Sequence, residues 1–154
     1  MALKVTKVDV WAVEIRDEPG GLAQILETMS GAGSSLDCVI ARRQADKYMA
    51  GVVFLTPVKG KKTEAAATAA GVQRAEDMAT LRVEGNDQPG IGARMARAVA
   101  DVGVNMRGCS AMRCGKNFVA YIGFDSDEVA DRAAKVLKSV GGRSAPCKRA
   151  MARA

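Results

Sequence analysis

The sequence predicts an α+β protein built from two consecutive copies of a β-α-β-β-α-β unit. Residues 13–23 and 83–93 share one order of features: a short apolar run, an Asp-x-Pro-Gly turn and the start of an amphipathic helix. The offset of 70 residues also pairs positions downstream: Gly33 with Gly103, Ala41 with Ala111, Arg43 with Arg113, Ala50 with Ala120 and Phe54 with Phe124. Collinear matches at a fixed offset indicate an internal duplication.

The length supports two small domains. At 154 residues the chain divides into predicted units at residues 1–76 and 77–154. Units of this size bury a modest fraction of their surface, so we expect the two to pack together. Pairing of their sheets edge to edge would also hide exposed strand edges.

The first unit shows alternating strand and helix patterns. Residues 8–16 alternate as a strand does, and Pro19 suits the first position of a helix. Apolar residues then recur at helical spacing up to Gly31 and Gly33: Leu22, Ile25, Leu26, Met29 and Ala32. Further strands are predicted at 35–43, 48–58 and 72–74, with a helix at 63–70.

The second unit repeats this order. Strands are predicted at 78–84, 104–113 and 117–124, and near 144–151. The first helix carries Ile91, Met95, Val99 and Val102, and the second carries Val129, Ala133, Val136, Leu137 and Val140. Each unit therefore has the ferredoxin-like arrangement, an antiparallel sheet with both helices on one face.

Composition argues against several functional classes. The chain has no histidine, and its cysteines (Cys38, Cys109, Cys114 and Cys147) lack zinc-site spacing. We therefore predict reduced thiols that act as small hydrophobic side chains, no metal or other cofactor, and no enzymatic activity. No apolar run is long enough for a membrane span, and the N-terminus lacks the apolar core of a signal peptide, so a cytoplasmic protein is expected.

Binding to RNA is the alternative that the fold class itself raises, because RNA-recognition domains share this element order. The net charge is +6, but much of it lies in a loop around residues 59–62 and in the C-terminal tail. Phe118 and Tyr121 on the predicted third strand have opposite parity and so face opposite sides of the sheet. Aromatic residues make up only 4% of the chain, which argues against base stacking.

The duplicated pattern resembles the ACT domain, a small ligand-binding module of amino-acid metabolism. The first copy contributes Asp17-x-Pro19-Gly20, Leu22 and Gly33, and the second contributes Asp87-x-Pro89-Gly90 and the run Gly103-Val104-Asn105-Met106. The likeness covers roughly residues 8–150. The chain thus resembles a free-standing tandem ACT protein.

The resemblance implies a regulatory or sensor protein that binds a small molecule, usually an amino acid, at the seam between paired units. The site positions that it implies are Asp17, Glu18, Gly20, Gly21, Leu22 and Ser35 in the first unit, and Asp87, Gln88, Pro89, Gly90, Ile91, Gly92 and Asn105 in the second. The second unit is preferred for its extra glycine and its Asn. An Asp in this place is also a common helix-capping residue, so the structural role of Asp17 and Asp87 stays open.

Two further expectations concern partners. A homodimer is expected, because closed two-fold assemblies are the commonest oligomers, and a partner enzyme of amino-acid metabolism is possible. The main alternative function is a regulatory or assembly subunit that binds no ligand.

Overall fold

The computed structural model describes residues 2–140 of the chain, and it confirms the predicted α+β class with two antiparallel sheets. The elements are β1 (Lys4–Val8), β2 (Trp11–Arg16), α1 (Gly21–Gly31), β3 (Cys38–Arg43), β4 (Ala50–Thr56), α2 (Lys61–Ala69), β5 (Gln73–Arg74), β6 (Ala79–Asn86), α3 (Ile91–Asp101), β7 (Gly108–Cys114), β8 (Asn117–Phe124) and α4 (Asp127–Val140). None of these helices is both long and apolar enough to cross a membrane.

The first unit, residues 7–80, has the predicted β-α-β-β-α-β order. Its sheet runs β3-β4-β2-β5, with β4 antiparallel to both β2 and β3. The helical spacing of apolar residues places Ile25 and Met29 of α1 in the core. They pack with strand residues that share one face of the sheet, such as Val13 and Val53, because alternate residues of a strand point to the same side.

The second unit holds the largest difference from the sequence prediction. Among the described residues it comprises 2–6 and 81–140, and its sheet runs β1-β6-β8-β7. Strand β1 lies beside β6, in the place that β5 takes beside β2 in the first unit. The strand predicted near 144–151 lies outside the described residues. The boundary at residues 76 and 77, and the packing of the two units on each other, stay predictions.

The single strand predicted over residues 8–16 is wrong. The chain leaves β1 at Val8 and enters β2 at Trp11. Between them, the backbone carbonyls of Asp9 and Val10 accept hydrogen bonds from the Thr56 hydroxyl (2.8 Å) and the Ala75 amide (2.8 Å). These bonds anchor the break. The alternation of apolar residues does not indicate this break between β1 and β2, because Val8 and Val10 continue the pattern.

The predicted offset of 70 residues fails in one strand. Arg43 faces Gly51 in the first unit, whereas Arg113 faces Phe118 in the second. Strands β3 and β7 therefore keep the offset of 70, but β4 and β8 are related by an offset of 67, because the second hairpin is shorter. The matches of Ala50 with Ala120 and of Phe54 with Phe124 are thus wrong, since an odd shift moves every side chain to the other face.

The sizes of facing side chains on two neighbouring strands support the corrected alignment. Ile15 faces Gly51 across β2 and β4, and a Cβ on that glycine would lie 3.2 Å from an Ile15 carbon. In the second unit the sizes are reversed, because Phe118 lies 3.2 Å from the position of a Cβ on Gly85. The two units thus fill the same space from opposite strands.

The core of the second unit is built as its patterns predict. Side chains buried on its strands and helices include Leu81, Val83, Met95, Val99, Ala120, Ile122, Phe124, Ala133 and Leu137. Leu3 of the N-terminal segment is buried as well, at 6% exposure. Complete burial of a valine, leucine, isoleucine, phenylalanine or methionine side chain stabilises the fold by roughly 1.5–3 kcal/mol.

Candidate functional site

Each Asp-x-Pro-Gly turn joins a strand to a helix through a glycine with a left-handed backbone. The N-cap residues are Gly20 (φ 91°) before α1 and Gly90 (φ 81°) before α3. No side chain caps either helix. Asp17 and Asp87 therefore do not cap these helices. The first N–H of each helix, on Gly21 or Ile91, donates to the carbonyl of Glu18 (3.2 Å) or Gln88 (3.0 Å), and the other N–H groups of the first turn keep their capacity to bind an anion.

Close packing shapes the first of these turns. A Cβ on Gly21 would lie only 2.7 Å from the backbone oxygen of Arg16. The turn is therefore restricted to glycine at this position, because the obstructing atom belongs to the backbone. In the second unit the aligned residue is Ile91, whose side chain is buried.

The carboxylate of Asp17 binds an arginine from the end of β3. Arg43 places its Nε 2.5 Å from Oδ2 and its Nη2 3.5 Å from Oδ1 of Asp17. The backbone N–H of Asp17 also donates to the carbonyl of Met49 at 2.9 Å. The first turn is thus bonded to the end of β3 and to the loop residue just before β4.

The second turn repeats this arrangement more loosely. Nε of Arg113, at the end of β7, lies 3.5 Å from Oδ2 of Asp87. The backbone N–H of Asp87 donates to the carbonyl of Lys116 at 2.8 Å. Both carboxylates are about one-third exposed, so solvent screens these pairs, and each contributes at most about 1 kcal/mol to stability.

A further arginine forms hydrogen bonds with the second turn. Arg94 of α3 donates from Nη1 to the carbonyl of Pro89 (3.2 Å) and from Nη2 to the side-chain oxygen of Gln88 (3.3 Å). The aligned residue in α1 is Gln24. The second turn therefore carries a cation at the start of its helix that the first turn lacks.

The structure places the other predicted site residues unevenly. Glu18 and Gln88 are exposed, Leu22 packs against the core of its unit, and Gly92 has open space where a Cβ would point. Ser35 and Asn105 are exposed and lie in the loops before β3 and β7, not on the strands as predicted. Neither side chain forms a hydrogen bond with the turn of its own unit among residues 2–140.

The described cysteines differ in their exposure. Cys38 is buried, whereas Cys109 and Cys114 on β7 are exposed, and all three are free thiols. Partial burial raises the pKa of the Cys109 thiol, which lowers its thiolate fraction at neutral pH. Cys147 lies outside the described residues. In the described part of the chain, no group of three or more acidic or thiol side chains could hold a metal ion.

The aromatic residues of β8 do not form a surface for stacking bases. Phe118 and Tyr121 are 7% and 6% exposed, and the guanidinium carbon of Arg82 lies 5.9 Å from the centre of the Tyr121 ring. Base stacking needs exposed ring faces. These positions therefore give no support to the RNA-binding alternative.

Sequence reasoning missed the three arginines around the turns. Arg43 and Arg113 were visible as a matched pair in the duplication, and that match was a usable signal. Their contact with Asp17 and Asp87 depends on strand pairing between distant residues, which the pattern alone did not specify. Arg94 lies at helical spacing from the turn, where its side chain points back toward the helix start.

Comparison with known proteins identifies the fold. The chain is similar to a protein from Bacteroides thetaiotaomicron (14% identity, TM-score 0.72, 88% of this chain and 89% of that one). It is also similar to the ligand-free regulatory subunit of aspartate kinase from Thermus thermophilus (16%, 0.62, 91% and 97%) and to a structure of aspartokinase alpha and beta subunits (17%, 0.63, 93% and 99%). The chain shares its fold with regulatory subunits of aspartate kinase.

The predicted ACT-like, ferredoxin-like architecture is thereby confirmed. No protein-family model matches the sequence, and no curated protein is similar to it at a significant level. At these identities the likeness establishes the fold alone. Ligand, partner and activity have to be argued from the residues of this chain.

Proposed function

We propose that this protein is a non-catalytic regulatory ACT-like protein that binds an amino acid at its Asp-x-Pro-Gly turns. The observation that carries the proposal is the geometry of the turns. Each presents a carboxylate, Asp17 or Asp87, just before a helix whose N-terminus has no side-chain cap. The same pair of features occurs twice in one chain.

This geometry is complementary to the two charges of an amino acid. Uncapped N–H groups and the helix dipole favour a ligand carboxylate. The aspartate oxygens accept hydrogen bonds from an ammonium group. Gly90 and Gly92 in the second unit permit the close approach of a ligand to the backbone, since a Cβ on Gly92 would occupy open space.

A partner enzyme follows from the same proposal. Regulatory subunits of aspartate kinase from two Thermus species share this fold. We propose that this protein acts in the same manner, as a homodimer in the cytoplasm that changes its interaction with an enzyme of amino-acid metabolism when the ligand binds. The ligand-binding turns and the partner surface are then coupled sites in the thermodynamic sense.

A thermal-stability screen with the twenty amino acids tests ligand binding. A ligand present at 100 times its dissociation constant adds about 2.7 kcal/mol to the free energy of unfolding. The matched control is the N-acetylated form of any amino acid that gives a shift, because it keeps the carboxylate and lacks the ammonium. The proposal predicts a shift for the amino acid alone. No shift with any of the twenty at millimolar concentration contradicts it.

The ligand-free assembly subunit is a second candidate, favoured by strand β7. Within the described sheet this strand is at the edge, and nearly all of its side chains are exposed, with Met112 at 55%. Exposed edges are common sites of strand pairing with another chain. Co-purification with an enzyme of amino-acid metabolism, at equal strength with and without amino acids, would favour this candidate over the sensor.

A further inference from the structure

The hairpin between β3 and β4 ends in two large side chains that project into solvent. Tyr48 is 96% exposed, and its neighbour Met49 is 49% exposed. Neither is part of the core of the first unit. A single exposed apolar residue needs no explanation. Two adjacent large ones at one hairpin tip, residues 44–49, concentrate contact area where it adds little to folding.

The internal duplication shows that the repeated fold does not require this hairpin tip. Arg43 pairs with Gly51 across the first hairpin, and Arg113 pairs with Phe118 across the second. Between these pairs lie residues 44–50 and 114–117, so the first hairpin is three residues longer. The second turns through Gly115 and has no large apolar side chain at its tip. The second unit thus forms the same strand pairing without such a tip.

Backbone hydrogen bonds fix the shape of the tip. The N–H of Gln44 donates to the carbonyl of Ala50, and the N–H of Asp17 donates to the carbonyl of Met49, both at 2.9 Å. Met49 has a left-handed backbone with a φ of 54°, which glycine would adopt without strain. Strained residues persist where the surrounding structure fixes them, and they cluster at functional sites. The tip therefore presents Tyr48 in a preformed shape.

The charges beside the tip cancel, which indicates the kind of partner that it suits. Lys47 places its Nζ 2.7 Å from a carboxylate oxygen of Glu14, and Arg43 is paired with Asp17. Residues 14–18 and 42–47 together hold four basic and four acidic side chains: Arg16, Arg42, Arg43 and Lys47, with Glu14, Asp17, Glu18 and Asp46. A nucleic acid requires an excess of cations, whereas an apolar centre with balanced charges around it suits another protein.

We propose that Tyr48 and Met49 form a docking site for a partner protein, in which they insert into an uncharged apolar pocket that offers an acceptor to the Tyr48 hydroxyl. A tyrosine supplies a large contact area at a low cost in side-chain entropy, and tyrosines are enriched among the residues that dominate interface energies. Because the tip is preformed, little ordering opposes association. This inference rests on the partner interaction proposed above, to which it assigns a surface, and it does not depend on amino-acid binding.

Unbiased selection of peptides tests the docking site. A phage-displayed library of disulfide-cyclised peptides is selected on the wild-type protein, and enriched peptides are synthesised for titration calorimetry. We expect apolar, nearly uncharged peptides whose affinity falls at least about tenfold with Tyr48→Ala, about 1.4 kcal/mol. Tyr48→Phe removes only the hydroxyl and should lose affinity by a smaller factor. Val39→Ala is the matched control, because Val39 is an exposed apolar residue (38%) on β3 away from the tip, and its variant should bind as the wild type does.

Salt dependence separates a protein partner from a nucleic acid. Peptide affinity should change by less than about twofold when salt rises from about 50 to 200 mM, whereas several phosphate contacts would weaken binding by orders of magnitude over that range. The parallel probe is a single-stranded oligouridine of about 16 nucleotides, long enough for one binding site. Oligouridine binding that Tyr48→Ala abolishes overturns the proposal.

Other outcomes also decide against the docking site. Enrichment of no peptide, or of peptides that bind Tyr48→Ala as tightly as the wild type, overturns it. A homodimer that Tyr48→Ala dissociates in sedimentation experiments overturns it too, because the occupant would then be a second copy of this chain. None of these results bears on amino-acid binding, which the thermal-stability screen tests by itself.

Discussion

The Cδ2 atom of Leu3 lies 2.6 Å from the position that a Cβ on Gly85 would take. This closeness shows how tightly the N-terminal segment packs onto β6, the strand beside which β1 lies. Phe118 also approaches this position, with its Cε1 atom at 3.2 Å. A side chain at residue 85 would therefore force Leu3 or Phe118 to move, although the aligned residue in the first unit is Ile15.

The variant Gly85→Ala is expected to destabilise the protein by about 1–3 kcal/mol, because added volume in a packed core forces side chains out of place. Leu3→Ala alone is expected to cost about 2–5 kcal/mol through the cavity that it leaves. Chemical denaturation of both single variants and the double variant forms a mutant cycle. The double variant should cost at least about 0.5 kcal/mol less than the summed single effects. Strict additivity would show that Leu3 does not pack on Gly85.

Gly92→Ala is expected to separate stability from ligand binding. Because a Cβ at this helical position meets no atom within 4 Å, the variant should gain about 0.4–1 kcal/mol in the free energy of unfolding. The same methyl group would occupy the space offered to a ligand, so affinity should fall. Gly31→Ala, also in open space at the end of α1, is the control that gains stability with no change in affinity. Equal affinity in the two variants would argue against the second turn as the site.

The first hairpin contains a strained residue. Met49 has a φ of 54°, a left-handed conformation that costs a residue with a side chain about 1–2 kcal/mol. Met49→Gly should therefore stabilise the protein by about 0.5–1 kcal/mol once the entropy of glycine in the unfolded chain is counted. The neighbouring Tyr48→Gly, at a residue 96% exposed and without positive φ, should destabilise it slightly. Equal effects in denaturation experiments would argue against strain.

Glu128 provides a pH-dependent contribution at the start of α4. Hydrogen bonds from its own backbone N–H and then from the Ser126 side chain lower the pKa of this carboxyl group in the folded state. The unfolded chain therefore binds the proton more tightly, and the stabilisation is present above the unfolded pKa, about 4.3, and is lost as pH falls through the folded pKa. Glu128→Gln should show a smaller fall in Tm between neutral and acidic pH than the wild type. An identical fall would show that Glu128 contributes nothing.

The parts of the fold that sequence predicted are those set by local pattern. The helical spacing of Met95 and Val99 placed them in the core, and the Pro-Gly pairs marked the helix starts. The position of β1 beside β6 was not predictable in this way, because it pairs residues about 80 apart in sequence. The contact between Asp17 and Arg43 escaped prediction for the same reason, since it depends on how β3 and β4 are paired. The shift between β4 and β8 also escaped prediction. It follows from the shorter hairpin between β7 and β8, and the repeated Asp-x-Pro-Gly pattern carries no information about the length of that hairpin.

The most direct test of the account is a crystal structure of the protein grown with the amino acid that gives the largest thermal shift. We predict a ligand at the second turn, where Gly92 leaves open space beside the backbone. Its ammonium should lie within hydrogen-bond distance of the Asp87 carboxylate, and its carboxylate should contact the first turn of α3. A ligand bound away from both turns would contradict the account.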